Sequence, residues 1–99
     1  MGDEPLLAGP PFKPDEALQR LRRELRDLGL TEREGRFERR GLVVARAVID
    51  GDALSAAGVR RPARSSAEWL PRMLRSSADV RDFVANLKQQ LAQWSDRDD

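Results

Sequence analysis

The chain has 99 residues, a length typical of one domain, and it contains neither cysteine nor histidine. The absence of cysteine excludes disulfides and thiolate chemistry, and the absence of histidine removes the commonest general base and transition-metal ligand. The net charge is only +1, but residues 20–75 carry fourteen arginines against eight acidic residues, and both ends of the chain are acidic. We therefore expect a small protein that is not an enzyme, with no cofactor and no metal.

Membrane insertion is not expected. A membrane span requires roughly 18 consecutive apolar residues, and the longest apolar run covers only residues 42–45. The N-terminus opens with Asp3 and Glu4, whereas a secretory signal opens with basic residues. These features predict a cytoplasmic protein without membrane contact.

Proline and glycine are concentrated at the start of the chain, where they occupy positions 2, 5, 9, 10 and 11. Because these residues interrupt regular structure, residues 1–13 are predicted to form a flexible N-terminal arm. Residues 14–95 are predicted to form a single globular domain, and residues 96–99 a frayed acidic tail.

The first predicted helix covers residues 15–28. Its leucines recur at spacings of three and four, which places them on one helix face, and they are Leu18, Leu21, Leu25 and Leu28. Gly29 follows and can adopt the left-handed conformation that ends many helices. The pattern is typical of a helix that packs one side on a core.

Residues 31–59 have two interpretations. In the one we favour, strands at 36–39, 42–49 and 53–59 form a β-meander with turns at Arg40-Gly41 and Asp50-Gly51. Asp-Gly between apolar runs is a strong hairpin signal, and the valines and isoleucine of the middle segment suit a strand.

The rival interpretation of this segment is a helix that begins with the capping box formed by Thr31 and Glu34. Gly35 and Gly41 oppose it, because each would cost about 1 kcal/mol in a helix interior. A helix here would make the whole protein an all-α bundle, which is the alternative fold.

The C-terminal third is predicted to be helical. A short helix begins at Ser65 or Ser66 and ends at residues 73–75, and a long helix begins around Ser76 and Ser77. The predicted fold is therefore α+β, in the order helix, small antiparallel β-meander, short helix, long C-terminal helix. The residues predicted to be buried in its core include Leu21, Leu25, Val84, Leu87 and Leu91.

Carboxylate pairs occur at Asp50 with Asp52 and at Asp79 with Asp82. General acid–base catalysis requires a carboxylate whose pKa is shifted toward the working pH. These pairs stand instead at a turn and at a helix start, where Asp is expected for backbone reasons. The sequence therefore predicts no catalytic residue.

Residues 58–75 form the most basic local segment, with five arginines and one acidic residue, Glu68. Guanidinium groups match phosphate and carboxylate geometry, and an exposed tryptophan can stack on a base. Sixteen of the eighteen basic residues are arginine, as in proteins from GC-rich genomes, so the number of arginines alone does not indicate a site. The candidate binding surface consists of Arg60, Arg61, Arg64, Trp69, Arg72 and Arg75.

The predicted function is that of a small interaction module, an adaptor, regulator or small subunit that binds another protein. The alternative is a nucleic-acid-binding protein that uses the arginine-rich segment 58–75. We expect a monomer or a homodimer, because small domains often gain stability by association.

Overall fold

The computed structural model describes residues 12–64 and 66–97, which form two helices and one five-stranded sheet. The elements are α1 (Pro14–Asp27), β1 (Thr31–Arg33), β2 (Arg36–Arg39), β3 (Leu42–Asp50), β4 (Ala53–Ala63), β5 (Trp69–Leu74) and α2 (Ser77–Arg97). All neighbouring strands are antiparallel, and their order in the sheet is their order in the chain. The predicted α+β class and the order helix, meander, helix are confirmed, and the all-α alternative is not supported.

The predicted arm and tail lie mostly beyond the described residues. Residues 1–11 and 98–99 are outside them, so the flexibility predicted there stays a prediction. Phe12 is half-buried and packs against the core, and α2 continues through residues 96 and 97.

Helix α1 ends as its sequence predicts. Gly29 has a φ of +90°, and its N–H donates to the carbonyl of Arg26, while the N–H of Leu30 donates to the carbonyl of Leu25. This pair of bonds is the Schellman motif, which satisfies carbonyl groups that the last helical turn leaves free. The motif turns the chain from α1 directly into β1.

The hairpin turns differ in part from the predicted ones. Arg40 and Gly41 both have positive φ, as a type I′ turn requires, so the predicted turn between β2 and β3 is confirmed. Between β3 and β4, however, Asp50 pairs with Ala53, so the turn residues are Gly51 and Asp52 rather than Asp50 and Gly51. Only Gly51 has positive φ there, as in a type II′ turn.

The prediction of a short helix that begins at Ser65 or Ser66 is wrong, because residues 69–74 form strand β5. This segment pairs with β4 from Leu54–Leu74 to Val59–Trp69 and forms an edge of the sheet. Pro71 fits that position, since proline has no N–H to donate and is tolerated in edge strands. The pairing partners lie ten to twenty residues earlier in the chain, from Val59 with Trp69 to Leu54 with Leu74, so local sequence did not reveal them.

Helix α2 begins at Ser77, as predicted from the serines at this position. The hydroxyl oxygen of Ser76 accepts a 3.1 Å hydrogen bond from the backbone N–H of Asp79. The Asp79 carboxylate in turn accepts a 2.9 Å bond from the backbone N–H of Arg75. These bonds satisfy backbone N–H groups around the start of the helix, which is a structural reason for a serine at 76 and an aspartate at 79.

Both helices pack on the same face of the sheet, and the core lies between the helices and the sheet. Leu21, Leu25, Leu87 and Leu91 are buried as predicted, whereas Val84 is only half-buried. The sheet contributes small residues to this core, including Ala45, Ala47 and Ala56, and larger ones that include Phe37, Leu54 and Leu74. Small side chains let the helices lie close to the central strands.

Candidate functional site

The two faces of the sheet can be distinguished by strand register. Ala45 and Ala47 are buried in the helix-covered core, so Arg46 between them points to the other face, because successive strand residues alternate. On β4, a Cβ added to Gly58 would meet Gln90 of α2 at 3.9 Å, which places Ala57 on the other face too. We call this other face the open face, because neither described helix covers it.

Three arginines stand side by side on the open face. Arg33 pairs with Arg36, and Arg36 pairs with Arg46. Directly opposed residues of an antiparallel pair share a face and have Cβ atoms roughly 5 Å apart. We call these three residues the arginine row; it crosses β1, β2 and β3, and all three side chains are exposed.

The arginine row has no acidic partner among the described residues. The described ion pairs are Lys13–Glu16, Arg20–Glu24, Arg22–Glu32 and Arg60–Glu68, and none involves the row. Glu38 and Asp50 share the open face by register, yet no described ion pair joins either to the row. Like charges in directly opposed positions destabilise a sheet, so these positions favour an anion from outside the domain.

The arginine row ends at an aromatic ring. The guanidinium carbon of Arg46 lies 4.8 Å from the centre of the Trp69 ring, within the range of a cation–π interaction. Trp69 is half-buried and pairs with Val59 of β4, which is fully buried. The open face thus presents cations and an aromatic surface next to each other.

A cavity of about 170 Å³ adjoins the arginine row and Trp69. The loop after β4 forms one side of it, and Arg36 belongs both to the row and to the cavity wall. The loop is fixed by Arg60, whose Nε lies 2.9 Å from the Glu68 carboxylate and whose N–H donates to the Glu68 carbonyl. The lining residues are Arg36, Val43, Ala63, Arg64, Ser66, Ala67 and Trp69.

The residues of the candidate binding surface are divided between different parts of the molecule. Arg64 and Trp69 line the cavity on the open face. Arg60 forms an ion pair with Glu68, and Arg61 is exposed in the irregular part of β4. The structure therefore brings together two of the six predicted residues.

The remaining two candidates lie elsewhere. Arg72 pairs with Ala56, a residue of the helix-covered core, so Arg72 belongs to that face of the edge strand. Arg75 follows β5 and donates its backbone N–H to Asp79 at the start of α2. The arginine row was missed because its members come from three different strands.

Two other features lie on the helix-covered side of the sheet. Arg39 donates from Nη1 to the carbonyl of Leu91 and so ties β2 to α2. The cavity of about 350 Å³ beside it lies on the helix-covered side, where Arg40 and Lys88 contribute to its lining. Within residues 12–64 and 66–97 there is no group of three metal-ligating side chains, and no helix is long and apolar enough to cross a membrane.

No protein-family model, curated protein or solved structure matches this chain. The fold and the site therefore define its class: an α+β domain in which two helices cover one face of a five-stranded antiparallel meander. The open face, with its arginine row, Trp69 and the adjoining cavity, is the candidate functional site.

Proposed function

We propose that this protein is a non-enzymatic module that binds nucleic acid on the open face of its sheet. The observation that carries the proposal is the arginine row, three exposed guanidinium groups in opposed positions without an acidic partner among the described residues. Such an arrangement is locally unfavourable, and departures of this kind from the rules of stability are expected at functional sites. A polyanion would neutralise the row along its whole length.

Charge alone would also fit an acidic protein segment, but the neighbouring aromatic group favours nucleic acid. Arg46 and Trp69 are in contact, so a ligand that follows the row meets a π surface at its end. Bases stack on such surfaces, whereas Asp and Glu side chains do not. A protein partner, which the sequence favoured, stays a prediction.

The test compares three triple variants in binding to fluorescent single-stranded and duplex oligonucleotides at about 50 mM salt, where electrostatic binding is strong. Replacement of Arg33, Arg36 and Arg46 with Gln should weaken binding and reduce the slope of log affinity against log salt by up to about three. The matched control replaces three exposed helix arginines and changes the net charge equally. Its residues are Arg23, Arg26 and Arg81.

The third variant replaces Arg60, Arg61 and Arg64 and measures the contribution of the segment that the sequence singled out. We expect a smaller loss than for the arginine row, because Arg60 is already paired with Glu68. A wild-type protein that binds no oligonucleotide, or an equal loss in the helix control, would contradict the proposal. Retention of an acidic peptide but of no nucleic acid would return the site to the protein-binding interpretation.

A further inference from the structure

The cavity beside Trp69 is too small for a typical small-molecule ligand. Ligand pockets usually enclose roughly 300–1,000 Å³, whereas this cavity has about 170 Å³. A complete nucleotide, with its sugar and phosphates, would have to leave most of its atoms outside. One flat ring that enters from a chain bound along the surface fits the space better.

The chemistry of the lining suits such a ring. Trp69 supplies an aromatic wall, and Val43, Ala63 and Ala67 supply apolar contact. Arg36 and Arg64 supply hydrogen-bond donors, and neither has a partner within the described part of the chain. Aromatic stacking combined with arginine donors is the usual way in which proteins hold unpaired bases.

Contacts within the domain support the wall of the cavity. The bonds between Arg60 and Glu68 close the loop, and Arg46 holds one side of the Trp69 ring. Ser66 in that loop has a φ of +56°, a conformation that residues other than glycine seldom adopt. A wall supported by such contacts reduces the ordering that binding would otherwise require.

From these features we propose that the cavity takes one unpaired base, so that the ligand of the open face is a single strand rather than a duplex. This inference rests on the proposed function. In a duplex each base is paired and stacked on its neighbours, so it cannot present its flat surface to Trp69, whereas a single strand can turn a base out. Arg36 joins the row to the cavity, so the phosphate next to that base would lie on the row.

The experiment uses the two tryptophans of the chain. Trp94 lies on α2, on the helix-covered side, and Trp94→Phe leaves Trp69 as the only indole. Addition of a single-stranded oligonucleotide should quench the fluorescence of Trp69. A strand of the same length without bases should bind the arginine row without this quenching, and a duplex should quench little.

A second variant fills the cavity while it leaves every charge unchanged. Ala63→Leu should lower single-strand affinity by roughly 5- to 150-fold, the range that corresponds to loss of one stacked base, and should leave duplex affinity unchanged. Ala85→Leu on the exposed side of α2 is the matched control and should change neither. Circular dichroism verifies that both variants are folded.

The outcomes separate the two proposals. Quenching by the single strand, together with its selective loss in Ala63→Leu, supports the inference. Equal binding of single strand and duplex without quenching overturns it, while the nucleic-acid function of the arginine row stands. If no nucleic acid binds at all, both proposals fall.

Discussion

Arg46 and Trp69 are in contact although they belong to strands that are not neighbours. Arg46 lies on β3 and Trp69 on β5, with β4 between them, and the guanidinium carbon is 4.8 Å from the ring centre. The contact therefore spans β4, whose Ala57 and Val59 are fully buried. This contact joins the arginine row to the edge strand β5.

Arg36 should be the member of the arginine row that stabilises the fold least. It has a like charge on either side and no described partner, so Arg36→Gln should raise the free energy of unfolding by about 0.2–1 kcal/mol at low salt. The gain should shrink in about 1 M salt, where charges are screened over about 3 Å. Urea unfolding at both salt concentrations measures this change in the free energy of unfolding. An equal increase in Arg23→Gln would show that the effect does not come from the neighbouring arginines.

Leu87 should be among the most important core residues. It is 2% exposed, lies on α2 and belongs to the core between helices and sheet. Leu87→Ala should lower the free energy of unfolding by about 2–5 kcal/mol, because it leaves a cavity that the sheet cannot fill. Denaturant unfolding provides the measurement. An unchanged midpoint would mean that α2 does not pack as described.

Two glycines should respond to alanine in opposite directions. At Gly29 an added Cβ meets nothing within 4 Å, but φ is +90°, so Gly29→Ala should lower the free energy of unfolding by about 1–2 kcal/mol through backbone strain alone. Gly58 has no positive φ, and its added Cβ would be at ordinary distance from Gln90. Gly58→Ala should therefore raise the free energy of unfolding by about 0.4–1 kcal/mol. Thermal unfolding of both variants tests the pair, and a shift of the same sign in both would contradict it.

Ser76 should contribute as the N-cap of α2. Its hydroxyl accepts the N–H of Asp79, so Ser76→Ala should lower the free energy of unfolding by about 0.5–2 kcal/mol. Ser77→Ala is the control, since Ser77 is exposed and makes no described side-chain hydrogen bond. Urea unfolding compares the two, and equal losses would indicate that helix propensity rather than capping is responsible.

The helices could be predicted because their signals are local. The leucines of α1 repeat with the period of a helix, and the Gly29 that follows has the positive φ expected of a helix stop. The turn at Arg40-Gly41 was indicated locally by Gly41, which readily adopts positive φ, whereas Arg40 takes its φ of +55° without such a preference. The sequence by itself therefore determined both helices and much of the core, and it favoured the hairpin of β2 and β3 over a helix.

Strand β5 was decided by pairing with a distant segment. Residues 69–74 contain apolar residues that suit a helix or a strand, and so short a segment has little preference of its own. Hydrogen bonding to β4, which local sequence does not show, selects the strand. Trp69 consequently lies on the sheet and not between helices.

The arginine row depends on a single irregularity in the sheet. Arg39 pairs with Leu42, and a regular ladder would continue to place Arg36 opposite Ala45, with Arg46 on the helix-covered face. A bulge between Phe37 and Glu38 shifts the register by one residue, so that Arg36 pairs with Arg46. Since side chains alternate with a period of two, that shift turns Arg46 to the open face. The sequence provided the arginines, but only the tertiary structure, through this one-residue bulge, placed Arg46 in line with Arg33 and Arg36 and in contact with Trp69.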